Sequence, residues 1–209
     1  LNRNAHTRVN QLGPESHGFR GNARNFDLNR DFVKSDTRNA QAFYKIFHAV
    51  RPQFFVDTHV SNGADYQYVI THLITQHDKL GGRLGEYVKD TFTPKVELAM
   101  TKQNTPITPY VNVFNRAPQD GGFGQFMDHP RYSTGFTTLF HTVGMMTETH
   151  MLKPFKERVA ATYTFLETLL DIAEQDGPKV RRWQEEDRKN FTGNEQNSIK
   201  WTQDTTDFR

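Results

Sequence analysis

Phe54-Phe55-Val56-Asp57-Thr58-His59-Val60 sets the fold class of this 209-residue chain. Pro52 precedes the run and an Asn62-Gly63 turn signal follows it. A short, largely apolar run between such breaks is the pattern of a strand buried within a sheet. Its polar residues gather at the C-terminal end, where a strand hands over to a loop.

Upstream, Ala40, Phe43, Phe47 and Val50 recur at helical spacing behind Asp36, a candidate helix cap, until Pro52 stops the run. Residues 1–31 are rich in Asn, Arg and Gly and read as a long loop. Downstream, 66–75 reads as a second strand, and 78–103 as a helical region with Leu80, Leu84, Tyr87 and Val88 on one face and a kink or restart at Pro94. A strand is expected over 110–114, a loop over 115–135 and a strand over 143–151. A helix is expected over 155–175, with Val159, Tyr163, Leu166, Leu169 and Leu170 sharing a face. Strands alternating with helices define a layered α/β architecture. The composition turns polar and charged after Gly177, so the chain divides into a domain at 1–176 and a linker or further module at 177–209.

Hydrophobic residues make up 35% of the chain and charged residues 24%, with 17 Phe and 7 Tyr to fill a core. A net charge of +2, without a basic stripe interleaved with aromatics, argues against nucleic acid as a partner. No stretch approaches the ~20 apolar residues of a membrane span. The absence of cysteine removes disulfide and thiolate chemistry, so any metal must be held by His and carboxylates. It leaves the compartment open, with export set slightly ahead of the cytosol.

Four features carry chemistry. In Asp27-Leu28-Asn29-Arg30-Asp31-Phe32, a guanidinium and a neighbouring amide can clamp a carboxylate, unless Arg30 merely pairs with Asp27 or Asp31. His59, at a strand end, suits zinc if an acceptor orients its ring, or is an ordinary half-buried histidine. Glu148, in Thr147-Glu148-Thr149-His150, suits a general base acting on bound water, or is a surface carboxylate. Arg3, Arg8, Arg20, Arg24 and Arg30 concentrate positive charge in the first loop, for an anionic ligand or simply for solvent.

The order of these residues resembles the zinc carboxypeptidase family typified by carboxypeptidase A, over roughly residues 1–175. That likeness implies an α/β/α sandwich about a mixed sheet and a zinc-dependent hydrolase acting on the last peptide bond of peptides that end in a free carboxylate. It implies Asn29 and Arg30 as the carboxylate clamp, His59 as a zinc ligand and Glu148 as general base. Arg8 would polarise the scissile carbonyl, Tyr132 would close over substrate, and the side-chain pocket would fall within about residues 115–140.

The family's His-x-x-Glu pair of zinc ligands has no counterpart here, because none of the nine histidines is followed three positions later by Glu. The two remaining ligands are therefore expected upstream of Leu1, together with the first strands of the sheet. On that reading the 209-residue piece is inactive by itself. It would also present an open sheet edge that a companion chain or an oligomer covers. Two alternatives remain: a peptide- or cell-wall-binding module on the same fold, and an amidase of peptidoglycan stem peptides.

Overall fold

The computed structural model describes residues 20–61, 65–112, 118–122 and 124–190. Strands β1 (Phe54–Val60), β2 (Ile70–Ile74) and β5 (Val143–Thr149) form a three-stranded sheet in the order β1-β5-β2. β1 runs parallel to β5 and β2 antiparallel to it, so the sheet is mixed. A second ribbon pairs β3 (Val111–Asn112) with β4 (Gly124–Gln125). The helices are α1 (Arg38–Val50), α2 (His77–Leu80), α3 (Gly82–Tyr87), α4 (Thr93–Lys102), α5 (Pro118–Gly121), α6 (Ser133–Thr138) and α7 (Phe155–Asn190).

α1 starts one residue later than its sequence signal suggests. Thr37, not Asp36, caps it by accepting a hydrogen bond from the Ala40 amide at 3.1 Å. Asp31 anchors that cap, accepting from the Asp36 and Thr37 amides and from the Thr37 hydroxyl. The helix ends at Arg51, whose left-handed φ of 51° turns the chain before Pro52.

Side chains alternate across the sheet, and each face carries its own core. On one face Phe54, Val56, Val143 and Met145 pack with α3, α4 and α7 through Leu84, Phe92, Val96 and Phe165. On the other, Phe55 meets Phe43 and Phe47 of α1, and Phe136 of α6 sits among Phe32, Phe43, Tyr44, Phe47 and Phe140. α6 lies close enough to the sheet that a methyl on Gly144 would strike the Thr137 hydroxyl.

Several expectations need correction. The strand expected over 66–75 shortens to 70–74. Of the one expected over 110–114, Val111–Asn112 is strand and 113–114 lie outside the described residues; it is preceded by a bridge in which the His72 amide donates to the Thr108 carbonyl at 3.0 Å. The 115–135 segment, read as loop, includes α5 and the start of α6. β1 is half-buried rather than buried, because its outer edge has no partner strand among the described residues. β5, flanked on both sides, is buried throughout.

α7 departs most. It runs through Gly177 and Pro178, so the compositional boundary at 176/177 falls inside a helix. Packing keeps it helical: Val180 is buried, Trp183 lies against Tyr87, and the Gln184 amide donates to the Pro52 carbonyl at 3.1 Å. Of the five apolar residues expected to share a face, Leu169 alone is buried. Ala161, Phe165, Leu169 and Ile172 point into the core, whereas Val159, Tyr163 and Leu170 are 50%, 63% and 70% exposed.

Candidate functional site

Asp57 and His59 stand two residues apart on β1 and therefore project from the same face of the sheet. In the parallel register His59 lies opposite Glu148 of β5, which brings its imidazole beside that carboxylate. His59 Nε2 is 2.8 Å from Asp57 Oδ2, hydrogen-bond distance, while Nδ1 is 3.9 Å from Glu148 Oε1, too far for a direct bond. Glu148 is the more deeply placed, its side chain 9% exposed against 20% for His59.

The 20–31 loop closes over this end of the strands. Its turn Leu28–Arg30 is capped by Asp27, which accepts from the Asn29 amide at 3.0 Å and holds Arg20 Nε at 2.8 Å. Asp27 and Asn29 line an open groove of about 790 Å³ together with Asp57, Thr58 and His59. Asn29 Oδ1 is buried there without a hydrogen-bond partner among the described residues. The far wall is α7, through Phe155, Arg158, Val159 and Tyr163, so the groove follows the open edge of β1.

Arg30 turns elsewhere. Its guanidinium donates to the Asn29 carbonyl at 2.9 Å and lies 4.8 Å from the centre of the Tyr132 ring. It makes no ion pair with Asp27 or Asp31: Asp27 is held by Arg20 and Asp31 by the α1 cap. The structure thus places His59 and Asn29 on one groove, sets Glu148 next to His59 but outside the groove lining, and joins Arg30 to Tyr132. Arg8 lies outside the described residues. His150 faces the interior, where the Leu152 amide donates to its Nδ1 and its Nε2 sits 3.3 Å from Asp65 Oδ1.

Burial disfavours the charged form of His59. The hydrogen bond and charge of Asp57, followed by the charge of Glu148, outweigh that and hold the imidazolium above its ordinary value. The resulting stability is complete below the unfolded value of 6.5 and is lost as pH rises through the folded one. His150 goes the other way: burial first, then the Lys153 charge, push it down despite Asp65.

As a metal ligand His59 fits one donor position, with the Asp57 carboxylate close to one ring nitrogen and Glu148 3.9 Å from the other. Among the described residues no three His, Asp or Glu side chains are arranged to hold an ion, so they do not complete a zinc site.

The chain matches no family model, no curated protein and no solved structure. The resemblance to zinc carboxypeptidases therefore rests on the order of the sequence motifs alone.

Sequence reading left the partner of His59 open. The spacing Asp57-x-His59 was the signal available for it, since strand alternation puts both groups on one side. Nothing in the sequence marked Phe155 or Arg158 of α7 as neighbours of the site.

Proposed function

We propose that this chain carries the substrate-side half of a zinc carboxypeptidase site, on a carboxypeptidase-like fold, acting on peptides with a free C-terminal carboxylate. The observation that supports it is the pairing of His59 with Glu148 across β1 and β5, at the end of a groove that Asn29 lines. Zinc, bound by His59 with donors from outside this chain, would supply a polarised water.

The chain's own residues then divide the work. Asn29 and Arg30 hold the terminal carboxylate and so fix the last peptide bond relative to Glu148, an orientation effect. Tyr132, already against Arg30, closes over the bound residue. Glu148 takes a proton on its carboxylate from the attacking water and passes it to the departing amine. Arg8 would stabilise the oxyanion.

The test is release of C-terminal amino acids by the full-length protein from matched peptides ending in a carboxylate or in an amide. Expected is release from the acid, abolished by chelation of zinc, and at least about 100-fold slower release from the amide, which offers no anion to the clamp. Equal rates on both would remove the clamp from the account. Tight peptide binding with no release would favour a non-catalytic binding module, and release confined to cell-wall stem peptides would favour the amidase.

A further inference from the structure

We infer that His150 is a proton-operated latch: its neutral ring ties the 65–66 segment ahead of β2 to the 151–153 turn between β5 and α7, and protonation of the ring releases them. The latch stands whether or not the chain cleaves peptides, because the proposed chemistry makes no use of His150.

His150 is fully buried just past the end of β5. Both of its ring nitrogens face backbone N–H groups. The Tyr66 amide donates to Nε2 at 3.2 Å and the Leu152 amide to Nδ1 at 3.1 Å. One imidazole thus meets two segments that lie far apart in the chain. A neutral imidazole has one bare nitrogen and accepts one such hydrogen bond at a time; an imidazolium has none and accepts neither. Charging the ring therefore sets its own N–H groups against both amides, and a buried amide without an acceptor is costly. The groups around the ring offset little of this. Asp65 Oδ1 lies 3.3 Å from Nε2, but that side chain is 80% exposed and screened by solvent. Lys153 of the turn and Arg158 of α7 both oppose a charged ring. The Tyr66 ring packs edge-on against the imidazole and brings no countercharge. Burial, then Lys153, hold the imidazole below its ordinary value. Stability from the neutral ring is therefore complete above the unfolded value of 6.5 and is lost as pH falls from there through the folded one, opposite in sign to that of His59.

Amide hydrogen exchange read by NMR on the full-length protein tests this, each rate being divided by that of an unstructured chain at the same pH. The His150 ring is titrated in the same samples. Between about pH 8 and about pH 5, protection of the Tyr66 or Leu152 amide, whichever the neutral ring accepts, is expected to fall about tenfold as the ring charges, the worth of one hydrogen bond. Met146, paired on both sides within β5, is expected to keep its protection. His150→Asn, whose side-chain oxygen accepts from a neighbouring amide at any pH, is expected to show no pH-dependent fall at either position. Unchanged protection at both amides while the ring charges would overturn the latch. So would a ring that stays neutral down to about pH 5, a fall that Met146 shares, or a variant that retains the wild-type fall. The first three are read from wild type alone, whether or not the variant folds.

Discussion

Truncating Phe136 to Ala is expected to destabilise the chain by about 3–5 kcal/mol, the range for removing a large buried aromatic. Phe136 is fully buried and its ring lies 5.0–5.8 Å from the rings of Phe32, Phe43, Tyr44, Phe47 and Phe140. These rings fasten α1 and the 20–37 segment to the sheet through one residue of a short helix. The cavity left by Ala would be walled by aromatic groups that cannot all collapse into it. Urea unfolding followed by circular dichroism checks this, with Phe136→Leu expected to lose much less. An Ala variant within about 1 kcal/mol of wild type would mean that α6 does not bear on this face of the core.

Replacing Glu148 with Gln in the full-length protein is expected to lower kcat by about 100- to 10,000-fold, the usual worth of a positioned general base. KM should change little, because the amide has nearly the same shape and the proposed carboxylate clamp lies on another segment. The size of the loss follows from where Glu148 stands. It is buried on the central strand, opposite His59, and fixed by hydrogen-bonded strands on both sides. Initial-rate kinetics against peptide concentration separate the two constants. Turnover near that of wild type would take Glu148 out of the chemistry, and a rise in KM alone would make it a binding group.

Much of the fold could be read from local pattern, and the failures have a common physical origin. β1 and α1 were legible because breaks at Pro52 and Asn62-Gly63 bound apolar runs of the right length. α6 was not, because Ser-Thr-Gly-Phe-Thr-Thr has weak helix propensity and no periodicity. All six of its residues are buried, so tertiary packing makes the helix. The inner face of α7 was misread because the helix carries apolar residues on two sides, and sequence alone does not say which side meets the sheet. Gly177-Pro178 looked like an end, yet the contacts of Val180, Trp183 and Gln184 outweigh the loss of a backbone hydrogen bond there.

The site divides in the same manner. His59 and Glu148 announced themselves by residue type at strand ends. That they stand opposite each other depends on parallel pairing between segments almost ninety positions apart, which no local pattern contains. Arg30, expected with Asn29 as a clamp, has its guanidinium over Tyr132, a contact set by how the 20–31 loop meets the start of α6.

The most direct measurement is a crystal structure of the full-length protein with zinc and a product amino acid bound. The expected density places the metal on the His59 imidazole and the amino-acid carboxylate against Asn29 and Arg30. A metal seated away from His59, or a carboxylate bound far from that loop, would contradict the account.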